Sequence, residues 1–593
     1  MHSVATIACA AAAPGSGAVR RRRRLLLAFA LLVTDATGAA AFPFLDATNQ
    51  DQVPTGTELS SPDTQDLLHQ LQLANGLSPP AGGGWTIVPR INVQEELTDN
   101  VLQLNSPRQA DLVTYLSPGV SIAGDLPRVQ MTFDFAPILA LYANETSLNA
   151  LTEQMTGLAS VTVVPDLFYV DVRGLSGVQS VYGGLGGVGT LGAPANANLM
   201  APGSVPSLAG NTLGLTRDNE YQTSSLAISP YLLRRLGDWG TLKLGYSLAM
   251  TRSDTLSGFA ASPLPSGGLN AQSLLTNEAI AHYDTGDALT SAKNSVDVNL
   301  TQSQSTFGGV YPPGGGLPAA GGTNFSSTSN IISDTLTYQL NRTVALLGSI
   351  GHEDITYTET GFQGIHDMTW SFGTTLTPNP DTALTVSYGH QYGTNSLAVT
   401  GHYAATARTV LNVSYGTTLG TQLQMVQSQL NLAAAGANRS LINAQTGGSL
   451  FATTNALAPQ DGVFRTTSLV LGTQTTLDRD IISLNLLLAS QSSTGAGPAF
   501  ATSDQTISVS WVHQMRPDMT VSGGLSLSWM SQPAQVGFIP GNSLSAVATA
   551  AWQYQITETL GASISYSFFE RQSAVTSYNM YQNMLILGLS KTF

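Results

Sequence analysis

The 593-residue chain is 42% hydrophobic and holds 59 glycines, yet only 10% of its residues are charged, against roughly 25% in soluble domains. That balance excludes a disordered low-complexity chain, which needs low hydrophobicity or high charge, and a formal net charge of −14 excludes a nucleic-acid-binding surface. Uncharged polar residues and glycine fill the gap, which suits a sheet with lipid on one face and water on the other.

Residues 1–41 read as an export signal. Arg20 to Arg24 form a positive n-region, Leu25 to Val33 a short apolar core, and Ala39 to Ala41 an A-x-A cleavage site. The apolar run is about half of the roughly 20 residues a membrane span needs, so it is not read as an anchor. The mature chain is expected to begin near Phe42. Cleavage removes five arginines and Asp35, so 23 basic and 37 acidic residues become 18 and 36, a net charge of −18. It also removes Cys9, the only cysteine, which leaves neither a disulfide nor a cysteine metal site.

Residues 42–84 are polar and proline-rich. They contain one helical candidate, with Ser61 as cap, Pro62 in the first turn, Leu67, Leu68 and Leu71 on one face, and Gly76 at the end. The segment is expected in the periplasm, as a partner-docking element, as an occupant of a barrel mouth, or as a short linker.

From Trp85 the chain reads as strands. Trp85–Glu96, Asp111–Ile122, Val129–Tyr142, Leu158–Val164 and Phe168–Val178 are joined alternately by longer polar loops and tight turns, the turns falling at Gly124–Pro127 and Val164–Leu167. Residues 179–218 read as an external loop rich in glycine, alanine and proline. A hairpin follows at Leu236–Gly240, and 255–289 reads as a second long loop. Asn294–Leu300 alternates well, and its return strand is expected at Thr306–Tyr311, cut short by Pro312 and Pro313.

The second half repeats one pattern, a polar turn leading into an alternating strand. Copies begin at Leu340, Pro380, Thr406, Leu477, Arg516 and Ile556. In the last, Ala562, Ile564, Tyr566 and Phe568 face one way while Ser563, Ser565 and Ser567 face the other. Trp511, Trp552 and Tyr554 fall near the turn ends, where an aromatic girdle belongs. Between copies, residues 418–462 exceed what a hairpin needs. Leu423, Met425, Val426 and Leu430 have helical spacing there, which reads as a helix folded into or over a lumen, or else as a floppy surface loop.

The chain ends on Tyr581 to Phe593. Leu585, Leu587 and Leu589 share the face of Phe593, while Gln582, Gly588 and Ser590 share the other. An alternating last strand ending on an aromatic residue is how outer-membrane barrels close, and the assembly signal is assigned to Phe593, Leu589, Leu587 and Leu585. The fold class is therefore all-β: a transmembrane antiparallel up-and-down barrel of about 22 strands, or 18 to 20 if weak corners fail. It occupies residues 85–593, with short periplasmic turns and long external loops.

Several segments resemble the outer-membrane barrels associated with the PEP-CTERM/exosortase system. They are Thr98 to Val101, Ala110 to Ser121, Tyr142 to Glu145, Leu148 to Ala150, Val164 to Asp171, and Leu340-Asn341 leading to Gly351 to Asp354, where His352 replaces the more usual tyrosine. The resemblance implies a barrel serving exopolysaccharide or surface-protein export, with polysaccharide or periplasmic export components as partners. It carries no catalytic residue.

His352, His366, His390 and His402 fall on four successive strands toward the loop side, a spacing that invites a metal site. Alternation argues against it. His366 shares a face with Met368, Trp370 and Phe372, and His390 with Tyr388 and Tyr392, whereas His402 points oppositely to Val399 and Tyr403. No nucleophile elbow, phosphate loop or paired-carboxylate motif stands above the composition, so neither an enzyme nor a cofactor is expected. Acidic residues at loop ends, among them Asp99, Glu353 and Asp354, suggest a carboxylate rim favouring cations or hydroxyl-rich sugars, or simply a solvated edge.

The sequence thus predicts a barrel in the outer membrane of a Gram-negative bacterium. Its expected surroundings are membrane lipid and the barrel-assembly machinery, and its expected role is that of a channel or scaffold. A general diffusion pore and a non-conducting barrel that binds partners are the alternatives, with an outer-membrane hydrolase last.

Overall fold

A computed structural model describes residues 84–180, 220–255, 272–286, 288–289, 291–307, 323–358, 362–379, 382–431, 433–435, 441–443, 463–494, 501–531, 542–576 and 579–593. The expected signal with Ala39 and Ala41, the helical candidate at Ser61 to Gly76, and nearly all of the loop at 179–218 lie outside these residues.

The strands of the first half are β1 (Gly84–Thr98), β2 (Asp111–Leu126), β3 (Val129–Tyr142), β4 (Ala150–Val164), β5 (Phe168–Ser180), β6 (Glu220–Arg235), β7 (Gly240–Thr255), β8 (Gln272–Thr285), β9 (Ala292–Phe307), β10 (Thr323–Asn341) and β11 (Val344–Tyr357). Next come β12 (Ile365–Leu376), β13 (Thr382–Gln391), β14 (Thr394–Thr406), β15 (Thr409–Gly420), helix α1 (Gln422–Asn431), and the short pair β16 (Ala433–Ala435) and β17 (Leu441–Asn443). The chain finishes with β18 (Phe464–Thr476), β19 (Asp480–Ser493), β20 (Ala501–Arg516), β21 (Met519–Ser531), β22 (Ser543–Thr557), β23 (Leu560–Ser573) and β24 (Met580–Thr592).

Apart from β16 and β17, which pair only with each other, the strands form one 22-stranded antiparallel sheet in chain order. β15 pairs with β18, and β24 pairs with β1 from Arg90↔Thr592 to Thr98↔Met584, which closes the ring. The Phe593 N–H donates to the Pro89 carbonyl at 3.0 Å and ties the terminus to the first strand.

One local device recurs at the turns on the side of both chain ends. The register shifts by one residue between Gln339 and Asn341, Ala404 and Thr406, Gln514 and Arg516, and Gln555 and Thr557, each time just before a two-residue turn. A bulge there increases the twist and re-aims the strand into the turn. The residue after it caps the turn: the Asn341 carboxamide oxygen accepts the Thr343 and Val344 N–H groups at 2.8 and 2.9 Å, and the Thr557 hydroxyl accepts the Leu560 N–H at 3.1 Å. Asn and Thr do this because their short side chains reach backbone two or three residues on. Four of the six copies of the sequence repeat, those beginning at Leu340, Thr406, Arg516 and Ile556, fall at this corner.

Alternation then sorts the two faces. Tyr581, Leu585, Leu587, Leu589 and Phe593 are exposed on the outside, and Gln582, Met584, Ile586 and Ser590 are buried toward the lumen. On β1, Trp85, Ile87, Ile91, Val93 and Leu97 face out while Arg90, Asn92, Gln94, Glu96 and Thr98 face in. An apolar outer belt around a ring without edges is what hydrocarbon demands, because every backbone group must pair within the sheet. Among the described residues no helix is long and apolar enough to cross a membrane; this chain crosses with strands.

Three expectations are corrected. The loop expected at 255–289 contains β8, which pairs with β7 and β9 along nearly its whole length. β9 runs through Phe307, and its return strand is β10 rather than Thr306–Tyr311. β4 starts at Ala150, eight residues before the expected Leu158, and pairs with β3 from that point.

Candidate lumen and external mouth

Short turns and both ends of the described chain mark the periplasmic side, and the longer connections mark the external one. The lumen wall is mostly uncharged: Ser, Thr, Asn and Gln dominate its buried polar residues. Several of the charges on it are held by neighbouring side chains. The Arg90 guanidinium donates to both oxygens of Asp134 at 2.6 Å and to the Ser121 hydroxyl at 2.5 Å. It lies across β2 over Gly119, where an added Cβ would come within 3.0 Å of it. His282 sits between Asp284, at 2.5 Å, and Asp297. Asp504 accepts the Ser528 and Thr506 hydroxyls at 2.6 and 2.7 Å. On β5 to β7, Tyr169 stacks on Tyr231, and the Lys243 ammonium lies 5.3 Å from the Tyr231 ring.

The external mouth departs from this polar pattern. The β13–β14 turn is Tyr392-Gly393, with φ of 55° and 66°. Two successive left-handed residues make the turn that matches the twist of a two-residue hairpin, and Gly393 takes it without steric cost. Tyr392 is compensated by burial: its side chain packs with Ile331 and Ile355, flanked by Tyr357, Ile365 and Leu419. Glu353, fully buried on β11, accepts the Tyr392 and Gly393 N–H groups at 2.9 and 3.0 Å. From the other side Arg465 donates to the Tyr392 carbonyl at 2.7 Å. The tip is thus folded inward and held from two walls. Burial, reinforced by the Glu353 carboxylate, holds the Tyr392 phenol above the ordinary tyrosine range.

Helix α1 begins immediately after β15. The Thr421 hydroxyl accepts the Gln424 N–H at 3.3 Å while the Gln424 side chain accepts the Thr421 N–H at 2.8 Å, a reciprocal capping box. Gln424 also donates to Ser327 on β10 at 3.1 Å, which fixes the helix start to that wall. The body of the helix lies against β5, β7 and β8, strands well round the ring from β15. Leu423 and Val426 are buried, as their spacing predicts, and the helix spans about 15 Å at the usual rise per residue. It crosses the external mouth rather than standing out from it.

The residues singled out in the sequence fall in several places. Leu585, Leu587 and Leu589 face the lipid side, and Phe593 is exposed beside the closing seam. The Asp99 carboxylate accepts the Asn583 backbone and side-chain N–H groups, both at 2.7 Å, pinning the first external loop to β24. Glu353 clamps the inward tip, and Asp354, on the opposite face of β11, pairs with His366 at 2.8 Å. The structure does not bring these three carboxylates together.

His352, His366 and His390 share the outer face, and His402 faces inward beside Asn412, at 2.8 Å. His402 also lies toward the periplasmic end of β14, not the loop side, because β14 runs inward from the tight external turn. Tyr392, expected beside Tyr388 on the lipid face, turns into the mouth through the left-handed turn. Sequence reasoning missed the Glu353 and Arg465 clamp; the only local hint was Tyr-Gly between two alternating runs. The girdle reading finds Trp370 against Tyr388, with centroids 6.1 Å apart, externally, and Trp511 donating to Asp480 at 2.8 Å near the periplasmic turns.

No family model matches the chain, and no curated protein matches it. Solved structures do. The FrpB iron transporter of Neisseria meningitidis, in its apoprotein form, is 10% identical with a TM-score of 0.49, the match covering 89% of this chain and 83% of that one. The ferric-catecholate import receptor Fiu of E. coli K12 is 11% identical with a TM-score of 0.48, over 85% and 81%. BauA, the ferric preacinetobactin receptor of Acinetobacter baumannii, is 10% identical with a TM-score of 0.42, over 86% and 81%. Likeness at this level assigns neither family nor cargo. The closed 22-stranded ring with its apolar outer belt makes this chain an integral β-barrel of the Gram-negative outer membrane.

Proposed function

We propose that the barrel is a gated outer-membrane conduit for a polar, largely uncharged solute, closed externally by helix α1 and the β13–β14 tip. One observation carries this reading: α1 is capped on the β10–β15 side and buried against β5, β7 and β8 across the mouth. A hydroxyl- and amide-rich wall, on which several charges are held by neighbouring side chains, supports a neutral cargo over an ion. The resemblance to exosortase-system barrels adds exopolysaccharide or surface-protein export as the setting, and a hydroxyl-rich cargo fits that wall.

Liposome swelling tests the proposal, using the mature protein and a variant lacking residues 421–460, each offered neutral sugars and organic ions of similar size. The intact protein should admit neither, and the deletion should admit sugars faster than ions. Rapid swelling with the intact protein would instead identify an open diffusion pore. A deletion that folds and stays impermeable would identify a non-conducting scaffold.

A further inference from the structure

Two neighbouring periplasmic turns are locked into one piece. The β6–β7 connection makes a single 3-10 turn at Gly237–Trp239, and the start of the β8–β9 connection lies against it. The Gly286 N–H donates to the Trp239 carbonyl at 3.0 Å, the Ala288 N–H to the Asp238 carbonyl at 2.9 Å, and the Tyr283 hydroxyl to the same Trp239 carbonyl at 2.8 Å. Backbone meets backbone so closely that both contact points need glycine: a Cβ on Gly240 would lie 1.9 Å from the Asp284 carbonyl oxygen, and one on Gly286 would lie 2.5 Å from that of Asp238. Side chains carried on this platform are therefore set in place before a partner meets them.

The platform continues the lipid-facing belt. Trp239 is 72% exposed, and Leu236 and Leu289 beside it are exposed as well. On the membrane side of them, Leu232 and Leu244 are exposed on the outward face, and Arg234, Leu242 and Tyr283 form one cross-strand row on that same face. Arg234 is exposed, and among the described residues it makes no ion pair and no side-chain hydrogen bond; Asp166 and Asp238, exposed in the flanking turns, form no ion pair with it. Other arginines at this edge are held within the protein, Arg408 by Asp478 at 2.7 Å and Arg516 by Asp518 at 3.3 Å. Arg128, Arg342 and Arg479 are exposed too, but they stand in the turns rather than on the outward face of a strand.

The layer that borders hydrocarbon at this rim is the headgroup zone of the periplasmic leaflet. Tryptophan and tyrosine favour that zone, a guanidinium fork matches two oxygens of a phosphate, and the arginine stem packs along apolar neighbours such as Leu232 and Leu242. Arg235, next in the chain, is also exposed, so two arginines outnumber Asp238 among the exposed described residues of the platform, which favours an anionic headgroup over one carrying its own ammonium. We infer that Arg234, with Trp239 and Tyr283 at the same level, is a binding site for an anionic phospholipid of the periplasmic leaflet, its phosphate on the guanidinium and its acyl chains along Leu232, Leu242 and Leu244.

The test takes the full mature protein from mixed micelles holding equal amounts of phosphatidylglycerol and phosphatidylcholine with the same acyl chains, and counts the retained lipids by native mass spectrometry. Phosphatidylglycerol should be retained over phosphatidylcholine about fivefold, the effect of one basic side chain at an anionic surface. Arg234→Gln should bring the two to parity, whereas Arg408→Gln, which removes a charge already paired with Asp478, should leave the preference unchanged; heat-modifiable gel mobility confirms a folded barrel in each case. Soluble glycerol phosphate, which offers the phosphate without the chains, should not displace the lipid. Equal retention of the two lipids by the native protein, an undiminished preference in Arg234→Gln, an equal loss in Arg408→Gln, or displacement by glycerol phosphate would overturn the inference.

Discussion

Glu353 shows how much a single carboxylate can organise. It is fully buried, and its two oxygens each take one N–H of a left-handed turn. Replacing it with Ala orphans both donors and should cost about 2 kcal/mol, read by urea unfolding in lipid vesicles and by protease cleavage at the tip; Gln, which keeps one good acceptor, should cost less. No change on Ala substitution would mean that the apolar contacts of Tyr392 alone hold the tip. Tyr392 adds a pH dependence. Its phenol is raised in the folded state, so the associated stability is present below the ordinary tyrosine range, about pH 10, and is lost as pH climbs through the folded value. Protease sensitivity of the tip should therefore increase in strong alkali, and Tyr392→Phe should abolish that increase. Arg90 and Asp134 form a bidentate pair whose acid retains some exposure to the lumen. Arg90→Met should destabilise by about 2 kcal/mol, less than the 3–5 of a fully buried pair, whereas Arg90→Met with Asp134→Leu should be nearly neutral. A double variant as damaged as the single one would contradict that reading. None of these partnerships was legible in the sequence, because each joins residues far apart in the chain through register.

At the scale of the element, alternation decided what could be read. β24 was legible because Leu585, Leu587 and Leu589 fall opposite Gly588 and Ser590, and the corner repeat was legible because Asn, Thr and Asp recur where bulge meets turn. β8 was not, and its faces explain why. Leu274 and Ile280 point inward with Thr276 and Glu278, while Asn277 and Ala279 lie on the outward face with Leu275 and Tyr283, so the contrast between faces is erased. β4 was shortened because Glu153 stands on its outward face near the external end and reads as loop. The helix was visible from the spacing of Leu423 and Val426, whereas its path across the mouth depends on contacts with β5, β7 and β8 that no local pattern encodes. Face assignment is testable. Leu587→Arg, near the middle of β24 on the lipid face, should cost about 2–4 kcal/mol, while Ser565→Arg on the lumen face of β23 should cost little; equal costs in vesicle unfolding would put the faces in doubt.

At the scale of the molecule, the strand number was legible because it is a count of corners, and the corners carry local chemistry. Whether the lumen conducts is a property of the mouth, where β10, β11, the β13–β14 tip, β15 and α1 meet. In the proposed gated conduit α1 is the gate, held by burial of Leu423 and Val426. The most direct test is single-channel recording in planar bilayers of the mature protein beside a Leu423→Asp, Val426→Asp variant, which removes the apolar seat of the helix and leaves every barrel strand intact. The expected result is silence from the native protein and stable conductance steps from the variant. Steps of equal size from both, or silence from a variant shown to be folded and inserted, would contradict the claim that this helix closes the barrel.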